Sequence, residues 1–319
     1  MNLKVSILIP VFNRDSIIQQ TIQSALEQNY KNIEVIVVDN ASTDNTWQII
    51  QSIAIQDSRV KAFRNDTNLG PVRNWLRCVE EASGEYGKIL WSDDLIAPDF
   101  IEKTLPLLKD DNVGFVFTGT KIFSGEKPKN EKVCYSLGKT GLYPSLHYIE
   151  NVIYERNMPV SPGCAIFRME DIRKNLWLDV PNQINSDFSM HAIGNDVLLF
   201  LLTAKDYKFF ANVAEPLSFF RAHEGSISVS STSGKLPLHY ALAKSYFIEK
   251  YLPSEAACYA SKIQIMLWRY KDSGKYGMET VDDFFSKPLI LSKICLIKNI
   301  LTSSLRIPKH LIKKLINKK

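Results

Sequence analysis

The chain of 319 residues contains no CxxC pair, no glycine-rich GxGxxG run, no GxxxxGKS or GxxxxGKT loop and, after Ser286, no acidic residue. Each absence removes a class of protein. Its five cysteines, Cys78, Cys134, Cys164, Cys258 and Cys295, show no paired spacing, so neither a disulfide framework nor a structural zinc site is expected. That usage agrees with a reducing cytoplasm. Without a glycine-rich turn the backbone has no ready cradle for phosphate, which argues against a dinucleotide-dependent dehydrogenase and against a P-loop enzyme. No uninterrupted apolar run reaches the roughly 20 residues of a membrane-spanning helix. The opening stretch MNLKVSILIPVFNRD is short, contains Pro10 and lacks a small-residue cleavage site, so it reads as a strand rather than a signal peptide.

What is present is ordinary in bulk and uneven in detail. A hydrophobic content of 45% with 23% charged residues suits a globular chain with a sizeable core. The formal net charge of +5 is a poor summary, because nine of the 39 basic residues lie from Lys287 onward, leaving 30 against 34 acidic in the rest of the chain. The basicity belongs to the tail.

The first third alternates β-rich runs with helical patterns, the signature of βαβ units and a parallel sheet with helices on both faces. KVSILIPVF and IEVIVVD read as strands buried on both faces. Between them Asp15 is placed to cap a helix whose Ile17, Ile18, Ile22, Ala25 and Leu26 share one side. Next come a helix from about Thr43, a strand near RVKAFRN, a helix after Gly70 and the strand YGKILW. A further helix from about Pro98 and a strand VGFVFTG lead into a polar excursion, SGEKPKNEK. Beyond it come SPGCAIFR, a helix around NDVLLFLLTA, two short strands YKFFANV and LSFFRAH, and a Ser- and Gly-rich linker EGSISVSSTSGK. From about Leu236 the pattern is helical to the end.

In an open α/β sheet ligands sit beyond the carboxyl ends of the strands, which here carry Phe12, Asn13, Asp39, Asn40, Asp93 and Asp94. Adjacent carboxylates such as Asp93 and Asp94 repel and are costly to desolvate unless a cation meets them. One of the pair can instead cap the following helix while the other is solvated. The functional reading is a hard divalent cation, Mn²⁺ or Mg²⁺, bridging a carboxylate to the phosphates of a ligand. Asp196 precedes an apolar helical run, where it serves either as an N-terminal cap or as a rigidly held base.

Several motifs in order, VSILIPVFNR, VIVVDNASTDNT, NLGPVRNW, SGEYGKILWSDD, PGCAIFR, GNDVLLF and PLSFFRAHEGSIS, are similar to those of the family 2 glycosyltransferases, covering most of residues 4 to 230. The resemblance implies a GT-A fold: a Rossmann-like, mostly parallel sheet forming a nucleotide-donor half (1–120), an acceptor half (121–230), then C-terminal helices (231–319). It implies an inverting transfer of a sugar from a nucleotide-diphosphate donor, a UDP-sugar by preference, to a glycan or lipid-linked glycan in the synthesis of surface polysaccharide such as O-antigen or capsule. Pro10, Phe12 and Asp39 would line the base and ribose pocket, Asp93 and Arg73 would meet the ribose or diphosphate, and Asp94 would be the primary metal ligand. Asp196 would be the general base, with Asp187 as competitor. His223 is either a structural hydrogen-bonding residue or a group facing the diphosphate and metal, and Arg221 is a further diphosphate partner. SPGCAIF would wall the transferred sugar or the acceptor. Two departures stand out: Trp91 or Ser92 occupies the first acidic position of the family's metal motif, and Asn195 replaces the Glu that often precedes the base.

In the tail, Ile290, Ile294, Ile297 and Leu301 recur at helical spacing with Lys293, Lys298 and Arg306 mostly on another side. Such a helix either packs on the core or lies on an anionic lipid surface. The second choice would place the protein on the cytoplasmic face of an inner membrane. Nucleic acid is not expected as a partner, because the basic residues are interleaved with Leu and Ile and the rest of the chain is acidic. A non-catalytic nucleotide- or glycan-binding protein of the same fold is the alternative from another class. A nucleotidyltransferase would need a glycine-rich triphosphate loop, which PVFNRDS does not supply.

Overall fold

The structure is a computed structural model that describes residues 3–125, 128, 133–222 and 234–302. The chain forms two compact units, the first from residues 1–179 and 187–229 and the second from 180–186 and 230–319.

The first unit is built on one mixed sheet. Its parallel half is β1 (Val5–Val11), β2 (Ile33–Asp39), β3 (Val60–Arg64) and β4 (Tyr86–Ile89), with β1 central between β2 and β4. Every residue of β1 and β2 is buried, as expected of strands covered on both faces. The linking helices are α1 (Ile18–Leu26), α2 (Thr46–Gln56) and α3 (Pro71–Glu80). After the two-residue β5 (Leu95–Ile96) and α4 (Phe100–Leu108) comes β6 (Val113–Phe123). A β-hairpin strand β7 (Val133–Cys134), β8 (Gly141–Pro144), α5 (Ser145–Ile153), β9 (Ala165–Arg168), α6 (Met169–Asn175), the single turn α7 (Phe188–His191), α8 (Asn195–Ala204) and β10 (Phe209–Arg221) complete the unit. The strand order is β3-β2-β1-β4-β9-β6-β10-β5. β9 runs antiparallel to both β4 and β6, so it joins the β1–β4 part of the sheet to β6 and β10.

Two local expectations are corrected. Asp15 does not cap α1: the helix starts at Ile18, and Asp15 donates its backbone N–H to Asp44 Oδ2 at 3.2 Å. The strands expected at YKFFANV and LSFFRAH are one strand, β10, whose register against β6 slips around Val213, Pro216 and Ser218. Pro216 has no N–H for the ladder, and the bulge absorbs that loss without ending the strand. SGEKPKNEK and EGSISVSSTSGK lie largely outside the described residues.

At the end of the sheet opposite the carboxyl ends of the parallel strands, Glu34 is 2% exposed and accepts from Ser6 Oγ (2.7 Å), Lys61 Nζ (2.6 Å) and the Ser83 N–H (2.7 Å), with Lys4 Nζ 2.8 Å away. Burial alone would raise its pKa, but the two lysines, Ser6 and Ser83 overcome that and hold the carboxyl well below the usual carboxylate range. The hub ties β1, β2, β3 and the loop before β4 together.

The second unit is helical: α9 (Lys235–Tyr251), α10 (Ala256–Arg269) and α11 (Lys293–Thr302), with a core that includes Leu238, Phe247, Tyr259, Ile263 and Phe284. Here the cysteine expectation is corrected. Cys258 on α10 and Cys295 on α11 are disulfide-bonded, with Cα atoms 5.3 Å apart although 37 residues separate them. Only the packing of α10 on α11 brings the pair within bridging range. No described helix is long and apolar enough to cross a membrane.

Candidate functional site

The parallel strands end together, and the loops beyond them share one edge. Val11 pairs with Asp39 in the β1–β2 register, so the loops after β1 and β2 are neighbours. They are braced to each other: the Asn13 N–H donates to Ser42 Oγ (2.9 Å), the Thr43 N–H to Asn13 Oδ1 (2.9 Å) and the Arg14 N–H to Thr46 Oγ1 (2.7 Å). On this frame Phe12 is 38% exposed, a ring presented to solvent from the end of a wholly buried strand, whereas Pro10 is buried within β1. Asp39 is buried, accepts the Ser42 N–H on both oxygens (3.3 and 3.2 Å) and pairs with Arg64 Nε at 3.1 Å. The Arg64 guanidinium also lies over the Trp47 ring, 5.6 Å from its centre.

The Asp93–Asp94 loop leaves the end of β4 and is held by the far end of β10. β5 pairs antiparallel with Ser218 and Phe219, which brings Arg221 alongside the two carboxylates. The Arg221 N–H donates to Asp94 Oδ1 (2.9 Å), its Nε to the Asp93 carbonyl (3.0 Å) and its Nη2 to Gln20 Oε1 (2.8 Å). Thr21 Oγ1 on α1 adds a bond to the Ser92 carbonyl at 3.0 Å. Asp94 is 5% exposed, and burial, then the neighbouring Asp93 charge, push its carboxyl well above the usual range. The charges of Lys88 and Arg221 pull the other way, so positive charge from the protein already meets the pair.

Below the loop lies Lys88, an ammonium with no solvent exposure. It donates to the Gly163 carbonyl and, at 3.1 Å, to the Ile89 carbonyl, and sits 4.6 Å from the centre of the Phe100 ring. Burial pushes it down to about 7, against the opposing pull of Cys164 and Asp94. Above it, Trp91 packs against Trp75 with ring centres 4.7 Å apart and donates Nε1–H to Ser161 Oγ at 2.8 Å.

Asp196 lies in the first turn of α8 and is 7% exposed. Its Oδ1 accepts the N–H groups of Gly194 (3.1 Å) and Val197 (2.8 Å), while the N-cap of the helix is Gly194 and not Asp196. The entry depends on Gly194, whose φ of 119° is open to glycine and unfavourable for other residues. Asn195 points the other way, donating to the carbonyls of Trp177 (3.0 Å) and Leu178 (3.2 Å), which anchors the helix start where a Glu would have to bury a charge. The rings of Tyr135 and Tyr148 feel the Asp196 charge, although burial is the larger cause of their raised values, about 12 for Tyr135.

Arg73 on α3 is directed to α7: its Nη1 donates to Ser189 Oγ (3.0 Å), which donates to Asp187 Oδ1 (2.6 Å). Asp187 caps α7 and is held below the usual carboxylate range, chiefly by Ser189. His223 lies outside the described residues. The structure thus gathers Phe12, Asp39, Asp93 and Asp94 along one edge and engages Arg73 with the α7 turn. Sequence reasoning missed Lys88, hidden in a strand that reads as apolar, and the clamp of Arg221 on Asp93 and Asp94, which depends on a contact across 127 residues.

No three His, Cys, Asp or Glu side chains among the described residues form a ready metal cage. The donor set at the loop is two hard carboxylates, one of them buried. That fits Mn²⁺ or Mg²⁺, which take one or two carboxylates and complete their shell with water and phosphate oxygens.

Residues 6–176 match the profile of glycosyl transferase family 2. The chain belongs to that family. It is 45% identical over 101 residues to an uncharacterized glycosyltransferase of Haemophilus influenzae, a match covering 32% of this chain and 40% of the relative. It is 36% identical over 114 residues to the Escherichia coli UDP-Glc:alpha-D-GlcNAc-diphosphoundecaprenol beta-1,3-glucosyltransferase WfaP, covering 36% and 45% of the two chains. These matches span less than half the length of either relative. Among solved structures, Staphylococcus aureus TarS 1–349 in complex with UDP-GlcNAc superposes with a TM-score of 0.62 at 16% identity, covering 87% of this chain and 76% of that one. The fold of the family 2 chain is therefore GT-A, with β2, β3, β4, β6 and β9 inside the matched residues.

Proposed function

We propose that this family 2 chain transfers a sugar, with inversion at C1, from a nucleotide-diphosphate donor to a sugar acceptor in surface polysaccharide synthesis. The observation that carries the reading is the buried Asp94 beside Asp93 at the end of β4, two adjacent carboxylates held at the ligand edge of the sheet by Arg221. A diphosphate with its divalent cation is the ligand whose charges answer that arrangement. UDP is the favoured nucleotide, since the names of WfaP and of the TarS complex both carry a UDP-sugar, and the WfaP name supports an acceptor carried on a lipid diphosphate.

Phe12 offers a ring for stacking the base, and Asp39, fixed by Ser42 and Arg64, is assigned to the nucleoside. Asp94, with Asp93, would hold Mn²⁺ or Mg²⁺, which when bound supplies positive charge to the departing diphosphate. Asp196 takes the proton of the acceptor hydroxyl as that oxygen bonds to C1 from the face opposite the leaving group. The C1–O bond to the diphosphate breaks in the same displacement and its electron pair leaves with the phosphate. Arg73 and His223 are assigned to the diphosphate side.

The tail supports a membrane-surface location. On α11 Ile294, Ile297 and Leu301 are 82%, 42% and 79% exposed beside Lys293 and Lys298, and Ile290, expected on the same helix, precedes its start at Lys293 and is 92% exposed. An anionic lipid surface matches both the apolar row and the charge, and would hold the enzyme beside a lipid-linked acceptor.

The test is a donor panel with free and lipid-linked acceptors, with and without EDTA, reading released nucleotide and the anomeric configuration of the product. Inverted product whose formation EDTA abolishes and Mn²⁺ restores is expected. Retained configuration would refute the displacement, and chelator-insensitive turnover would refute the metal role. Donor binding with no turnover for any pair would make the chain a binding protein.

A further inference from the structure

The turn Ser161–Cys164 is a short piece of chain that touches β4, β6, β10 and α8. It therefore stands between the strand that leads to Asp93 and Asp94 and the helix that begins at Asp196. Its contacts with the carboxylate side are made by two residues that no functional role yet accounts for. Lys88 donates from within the sheet to the Gly163 carbonyl, and Trp91 donates from the loop itself to Ser161 Oγ at 2.8 Å. Ser161 in turn caps the turn, accepting the Gly163 N–H at 3.4 Å, and the Cys164 thiol donates to the Ser161 carbonyl at 3.3 Å.

The fit leaves no slack. A Cβ on Gly163 would stand 2.9 Å from Trp91 Cδ1 and 3.1 Å from Phe220 Cε1, so glycine is what allows the turn to lie against the indole. Trp75 closes another side of the indole at a 4.7 Å ring separation. A buried ammonium is expensive unless its donors are satisfied, and Lys88 gives two of them to backbone carbonyls, one on each side of the contact. A simple apolar strand residue would fill the same space at less cost.

We infer that Trp91 and Lys88 are positioning residues for the transfer: they clamp the Ser161–Cys164 turn to the Asp93–Asp94 loop, so that the carboxylate loop and the start of α8 keep one spacing. Trp91 thereby links two walls of the site, the carboxylate loop and the Ser161–Cys164 turn. The inference rests on the proposed sugar transfer for its kinetic arm and on the geometry alone for its structural arm.

Trp91→Phe keeps an aromatic ring and removes the indole N–H, and Ser161→Ala removes its acceptor. Ser161→Thr keeps both the acceptor and the cap. Hydrogen exchange read by mass spectrometry on the substrate-free, full-length chain should show faster exchange over 161–165 and at the start of α8 in Trp91→Phe and in Ser161→Ala, with no further increase in the double variant. With the donor found by the panel, each single variant should lower kcat about tenfold at unchanged donor KM, and should raise donor hydrolysis relative to transfer, because misplacement of reacting groups costs rate more than binding. Ser161→Thr should restore both readouts. Unchanged exchange in Trp91→Phe, or additive effects in the double variant, would overturn the clamp. A raised donor KM with unchanged kcat would also overturn it, by making Trp91 a donor contact. If the wild-type chain transfers no sugar, the exchange arm still decides the clamp while the proposed function fails separately.

Discussion

Asp196→Asn separates the two things that Asp196 does. In the native chain Oδ1 accepts from Gly194 and Val197 at 3.1 and 2.8 Å, and an asparagine Oδ1 at the same place can accept both. What the amide loses is the charge favoured by the first turn of α8, worth about 0.3 to 1 kcal/mol, and the ability to take a proton. The melting temperature should therefore fall by no more than about 4 °C. Transfer should fall by about 10² to 10⁴, the usual contribution of a positioned general base, which is about 3 to 5 kcal/mol of barrier. Donor affinity, measured by titration calorimetry with Mn²⁺ present, should stay within about twofold, because a proton acceptor adds little to ground-state binding. Asp196→Ala, which also drops both of these hydrogen bonds, should lose a similar amount of activity and about 1 kcal/mol more stability. If Asp196→Asn transfers sugar within about threefold of the wild type, the base lies elsewhere, and Asp187→Asn is the next variant to assay.

Away from the site, Glu34→Gln should cost about 2 kcal/mol, since its lysine partners are 33% and 42% exposed and the pairs are partly screened. Because the folded Glu34 carboxyl is held low, its stabilisation is present above the unfolded value of about 4.3 and is lost as pH falls below it. The variant should flatten the acid limb of the melting-temperature curve, and parallel curves for variant and wild type would count against the hub. Full-length protein should sediment with vesicles containing phosphatidylglycerol and stay in solution with phosphatidylcholine alone, each basic residue near the surface adding about 1 kcal/mol. A chain ending at Lys287 should lose that binding, and equal sedimentation of the two would end the membrane reading.

Much of the parallel half of the sheet was legible because its signals are local. An apolar run such as IEVIVVD can only be satisfied inside a sheet, and a carboxylate at the end of such a run falls on the ligand edge whatever the rest of the chain does. The helix ahead of Leu198 and the place of Asp196 at its start were legible for the same reason. Asp15 misled because a cap depends on where the chain turns, and the bracing of the loops after β1 and β2 moved the helix start to Ile18. β10 read as two strands because Pro216 normally ends a strand, and it continues here only because β6 runs beside it along its whole length.

By itself, then, the sequence determined the parallel sheet, the order of its helices, the edge that bears Phe12, Asp39, Asp93 and Asp94, and the charge of the tail. Periodicity and strand-end position depend on near neighbours in the chain, so they survive without coordinates. Tertiary structure alone decided that Arg221 grips the carboxylate loop from 127 residues away, that Lys88 is buried beneath it, that Trp91 is tied to Ser161, and that Cys258 meets Cys295. Those are contacts between residues with no common period, and they exist only because β5 pairs with β10, because a turn without a Cβ at Gly163 can lie against an indole, and because α10 packs on α11.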